Sequence, residues 1–122
     1  INKITMINLS ITVTQQINNK ANARRDFTTY LSKSKSRYIL AVKNLYTGKN
    51  PSICFNLITR ISDTINKNIY DSIGGWIDSK TDIYYLDANM HFDNLNECIS
   101  NAKGLGELAI YDRIDNKVIY IN

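Results

Sequence analysis

The amino-acid sequence predicts a single α+β domain over residues 1–122, a mainly antiparallel sheet with two longer helices and one short helix. The first observation behind this is that segments of helical period alternate with short β-branched and aromatic runs. The second is that several of those runs are joined by tight polar turns, which pair neighbouring strands antiparallel. The third is length: 122 residues can bury one core but not a second. The expected element order is β-α-β-α-β-β-α-β-β.

From the start, Met6 to Thr14 alternates apolar Ile7, Leu9, Ile11 and Val13 with polar Asn8, Ser10, Thr12 and Thr14, the pattern of a half-buried strand. Its polar row suggests an edge able to pair with a copy of itself. Asn19 to Ser32 suits a helix with Ala21, Phe27 and Leu31 inward and Arg24 and Arg25 on a wide polar face. Arg37 to Leu45 is a second strand, followed by a Thr47-Gly48-Lys49 turn. Asn50-Pro51 then opens a helix reaching Lys67, with Cys54, Leu57, Ile58, Ile61 and Ile65 at helical spacing.

The second half is richer in strands. Trp76 to Asp78 and Asp82 to Asp87 pair across Ser79-Lys80-Thr81. Asn94 caps a short helix to Lys103, with Glu97 three residues on, and Gly104 is the expected left-handed stop. Glu107 to Asp112 and Lys117 to Ile121 close the chain as a hairpin across Ile114-Asp115-Asn116. There is no repeat, low-complexity tract or linker.

Composition narrows the function classes. Hydrophobic residues at 43 % and charged residues at 21 % are ordinary for a globular chain and argue against disorder. No stretch approaches the roughly 20 apolar residues of a membrane span. No basic-then-apolar leader is evident, although the sequence begins at Ile1 and a trimmed start is compatible with that; a cytoplasmic protein is expected. Cys54 and Cys98 have no CxxC partner and read as buried free thiols, with one disulfide left open. A single histidine, His91, leaves no His-rich metal site, and no cofactor is expected. The net charge of +4 favours an anionic partner and disfavours a DNA-mimicking acidic inhibitor. No run of five basic residues exists, so nucleic acid is not the expected partner.

Catalytic constellations are hard to find. Gly74-Gly75 leads into a strand and Gly104-x-Gly106 follows a helix, so neither cradles a phosphate at a helix start. A Cys–His or Ser–His pair would have to recruit His91, and no motif surrounds it. Asp78, Asp82, Asp87 and Asp93 fall at turns and strand ends, where aspartate is usually a turn former. A non-enzyme is expected. Binding chemistry is better represented. Residues 74–93 hold Trp76, Tyr84, Tyr85 and Phe92 beside Asn89 and His91, and Arg113 stands near the tip of the last hairpin. Aromatic rings stack on bases, amides read base edges or ribose hydroxyls, and arginine forks suit diphosphates. Such rings, Trp76 and Tyr85 above all, more often line a sheet core, a lone histidine such as His91 is more often a satisfied surface residue, and a hairpin-tip arginine such as Arg113 is usually solvated.

The segments SITVTQQ (Ser10 to Gln16), ARRDF (Ala23 to Phe27), YDSIGGWIDSKTDIYYLDANMHFD (Tyr70 to Asp93) and LAIYDRIDNKVIYI (Leu108 to Ile121) together resemble the first family of Thoeris anti-defence proteins of phages. The resemblance implies a molecular sponge in the host bacterial cytoplasm. Such a sponge sequesters glyco-cyclic ADP-ribose, the messenger of Toll-receptor-like sensor enzymes, and releases it unaltered. It also implies a homodimer or a hexamer built as a trimer of dimers, with pockets between subunits, and in some members a separate site for cyclic oligonucleotides. Chemistry guided by that resemblance assigns Trp76 and Phe92 as walls, Asn89 to ribose or adenine, and Arg113 to the diphosphate. Arg24 and Arg25 would add charge from a neighbouring subunit. Nanomolar retention requires about 12 kcal/mol, which a ligand of this size gains only when enclosed. The competing expectations are a small nucleic-acid-binding protein of a phage or mobile element, and an inhibitor docking on a host protein through its tyrosines.

Overall fold

The computed structural model describes residues 3–121, with side chains from Thr12 onward. Across the described residues the chain is α+β, in the order α1 (Lys3–Asn22), β1 (Phe27–Tyr30), β2 (Tyr38–Gly48), a 3-10 turn (Pro51–Ile53), α2 (Leu57–Lys67), β3 (Ser72–Asp78), β4 (Ile83–Phe92), α3 (Leu95–Leu105), β5 (Ala109–Asp112) and β6 (Lys117–Tyr120). The expected class, with its six strands and three helices, is borne out. The first two elements arrive in the opposite order.

The expected strand at Met6–Thr14 lies inside α1, and the expected self-pairing edge goes with it. The described part of this helix shows why. Thr14, Ile17 and Ala21 are buried at spacings of three and four, and the helix packs along α2. Burial against a second helix then outweighs the β preference of Ile, Val and Thr.

The expected helix Asn19–Ser32 is also corrected. Arg24 takes a left-handed φ of 54°, its N–H donates to the Ala21 carbonyl, and the Arg25 N–H reaches back to Lys20. This pair of bonds is a Schellman stop with arginine in the place usually held by glycine. Phe27-Thr28-Thr29-Tyr30, freed from the helix, pairs with β3 as an edge strand. Asn50-Pro51 opens only the 3-10 turn, and α2 begins later, at Leu57. Asn94 caps α3 as expected, its side chain accepting from the Glu97 N–H at 2.9 Å. Gly104 stays inside that helix, and Gly106, at φ 74°, provides the left-handed stop.

The strand order is β1-β3-β4-β2-β5-β6 with every pair antiparallel. β2 carries two register shifts, between Ala41 and Lys43 and between Asn44 and Tyr46, which bend the sheet. Alternation along β4 separates two faces. Tyr84, Leu86 and Phe92 point to the helices. One core, around Ile17, Ile61, Ile73, Tyr84 and Leu86, lies beneath α1 and α2. The other, around Tyr38, Leu40, Cys98, Ala102 and Ile110, lies beneath α3. Both cores sit on the same side of the sheet. Tyr85, Asp87, Asn89 and His91 alternate to the other side, and among the described residues no helix covers it.

Candidate functional site

The uncovered sheet face gathers most of the recognition chemistry. At the β3–β4 hairpin end, Trp76 stacks on its cross-strand partner Tyr85, ring centroids 5.4 Å apart and planes 26° from parallel. Trp76 remains 54 % exposed, so much of its ring is free for another group to stack on. Six residues along β4, about 20 Å at strand rise, His91 meets the edge of Tyr30 at 5.8 Å. The Arg113 guanidinium lies over that same Tyr30 ring at 5.5 Å.

Between these ends lies a polar centre. Asn89 is buried, and its amide donates to Ser72 Oγ at 3.0 Å. Ser72 Oγ lies 2.8 Å from His91 Nε2. Ser72 Oγ accepts from Asn89 and keeps both a proton and a second lone pair, so it can serve Nε2 in either tautomer of the ring. Nδ1 is buried and has no partner. Burial holds His91 below the ordinary histidine range, Arg113 adds to this, and Asp71 opposes it. The neutral ring is the consistent state. Asp71 ties this end together: its carboxylate accepts from the His91 N–H at 2.8 Å and from the Ser32 hydroxyl at 2.8 Å.

The Ser72–His91 distance resembles that of a nucleophile and its base. Ser72, however, is fully buried, and a hydroxyl closed to solvent meets no substrate. The arrangement positions Asn89 and His91 instead. Gly74 lies beside this centre, and a Cβ there would stand 3.2 Å from the Asn89 amide nitrogen. Its absence keeps the sheet floor low next to Asn89. Asp87, on the same face, accepts from the Asn44 amide at 3.0 Å, and burial pushes its carboxyl above the usual range.

Of the six residues singled out by sequence, the structure brings Trp76, Asn89 and Arg113 to this one face. Phe92 alternates to the opposite side and packs, half-buried, in the core beneath α3, so it forms no wall with Trp76. Arg24 is bound to Asp82 in the β3–β4 turn, donating to its carboxylate and, at 2.7 Å, to its carbonyl oxygen. Arg25 stands exposed just before β1, its carbonyl accepting from the Tyr84 hydroxyl at 2.8 Å. None of the six lines either of two clefts on the helix side, one between β2 and α2 and one beside Pro51 and Phe55. Sequence reasoning missed Tyr30, Ser72 and Asp71. Tyr30 falls within the helix expected over Asn19–Ser32, and Ser72 and Asp71 gain meaning only once β3 is paired with β4.

Among the described residues no group of three or more His, Cys, Asp or Glu side chains is placed to hold a metal ion. Cys54 and Cys98 are both free, and burial pushes the Cys98 thiol up to about 11. No helix among the described residues is long and apolar enough to cross a membrane. Comparison with family models, with curated proteins and with solved structures returns no match for this chain.

Proposed function

We propose that the protein binds a nucleotide-type anion on its uncovered sheet face and holds it without turnover, acting as a sponge for glyco-cyclic ADP-ribose. One observation supports this above the others: a free stacking ring, a buried amide and an arginine share a face that no helix covers. Trp76 offers its exposed ring to adenine. Asn89, fixed by Ser72, meets ribose or base-edge atoms. Arg113, lying across Tyr30, meets the diphosphate as a fork. The similarity of Tyr70 to Asp93 and Leu108 to Ile121 to the Thoeris anti-defence family points to the same ligand class. An open face gives too little enclosure for nanomolar affinity, so in this reading a second copy of the chain closes over it. The phage, the host cytoplasm and the block of Thoeris immunity belong to the same proposal.

The test is retention followed by release. Protein incubated with glyco-cyclic ADP-ribose, washed and then heated should return the ligand intact. Arg113→Ala should weaken binding about ten- to a hundredfold, the loss expected for one charge-assisted contact. Recovery of a cleaved product would make the protein an enzyme, and failure to retain ligand would end the proposal.

A second reading has its own observation. Trp76, Tyr30, Tyr111 and Tyr120 are all exposed on or beside strands, and exposed rings on a sheet also stack single-stranded nucleic acid. That reading requires affinity for an oligonucleotide that falls steeply with salt. Affinity unchanged between low and moderate salt rules it out.

A further inference from the structure

The helix side of the sheet holds a cleft of about 570 Å³ between β2 and α2. One wall is Lys43 to Leu45, where the two register shifts bend β2 away from a regular path. The other is the α2 face carrying Arg60, Asp63 and Lys67, spaced three and four residues apart so that they share one side of the helix. Lys43 pairs with the buried Ala88, which places it on the helix side of the sheet, opposite the Trp76–Asn89 face.

The charges of this cleft are unbalanced: three cations face one carboxylate. The Lys67 ammonium stands close enough beside Lys43 to hold it below the usual lysine range, and the carboxylate of Asp63 only partly opposes this. Two ammonium groups lining one cleft repel, and an anion between them turns that repulsion into attraction. Arg60 is already oriented, one guanidinium nitrogen donating to the Leu45 carbonyl at 3.0 Å, which fixes the fork at the cleft wall. We propose that this cleft is a binding site for a compact phosphate-class oxyanion such as a diphosphate group, held by Lys43, Lys67 and Arg60. It is independent of the sheet face and does not rest on the sponge reading.

Inorganic pyrophosphate is the probe, followed by NMR of the lysine side chains at low ionic strength. Saturable shifts at Lys43 and Lys67 are expected, with the Lys43 titration moving upward when pyrophosphate is bound. The double variant Lys43→Gln, Lys67→Gln removes two exposed charges and should weaken binding at least tenfold. Arg113→Ala, which removes the cation of the opposite sheet face, should leave it unchanged. Shifts that grow linearly without saturating, or a pyrophosphate affinity by calorimetry that the double variant keeps, overturn the proposal. So does a loss that follows Arg113→Ala, which would assign the anion to the other face.

Discussion

Single residues set the protonation state of the sheet face. Ser72 Oγ is hydrogen-bonded to His91 Nε2, and burial disfavours the charged form of the ring. The folded state therefore takes up the His91 proton at lower pH than the unfolded chain, whose histidine titrates near 6.5. The unfolded chain binds more protons in that interval, so stability falls as pH drops through 6.5 and levels off below the folded value. Thermal melts between pH 7.5 and pH 5 should show this decline, and His91→Gln should flatten it. A melting temperature as steep in pH for the variant as for the parent would assign the effect elsewhere. Asp112 follows the opposite rule, since the Arg37 guanidinium hydrogen-bonded to it holds its carboxyl down at about 2. The stability from that group is present above its usual range and is lost as pH falls toward 2.

At the scale of elements, the β3–β4 pairing organises the site, and glycine decides how closely β1 approaches. A Cβ on Gly75 would lie 1.9 Å from the Tyr84 hydroxyl and 2.5 Å from the Phe27 ring, both packed in the core. Gly75→Ala should therefore destabilise by roughly 1–3 kcal/mol, the range for overpacking a filled core. Denaturant melts measure it, and a neutral result would show that β1 moves away at little cost. The β3–β4 hairpin and α3 were legible in the sequence because turn residues and a cap announce them locally. Asp78 accepts from the Lys80 N–H at 3.0 Å, and Asn94 caps within three residues of itself. The α1–β1 region was misread because its stop is an arginine in a left-handed conformation, a role sequence signals reserve for glycine.

For the whole molecule, the three helices of the described residues crowd one face of the sheet and leave the other uncovered, the face to which the proposed ligand is assigned. A ligand that binds only the folded state stabilises it by mass action, about 2.7 kcal/mol at a hundredfold excess over Kd. In a domain of this size glyco-cyclic ADP-ribose should raise the melting temperature by several degrees. Asn89→Ala and Arg113→Ala should each reduce the shift. A shift retained in full by both variants would move the binding site off the sheet face. Because the cationic cleft lies on the other side of the sheet, a Lys43→Gln, Lys67→Gln protein separates the two sites in the same assay.

The sequence by itself determined the class, the antiparallel hairpins, the cap of α3, and a cluster of rings around Asn89 and His91 between Gly74 and Asp93. These follow from periodicity and turn chemistry, which act within a few residues. Tertiary structure decided that residues 6–14 are helical: the same helix carries Ile17 and Ala21, which are buried in one core with Leu57 and Ile61 of α2. It also decided that Phe92 belongs to the core while Trp76, Asn89 and Arg113 share a face. Sheet faces are assigned by strand pairing and by the side on which helices pack, and both involve residues far apart in the chain.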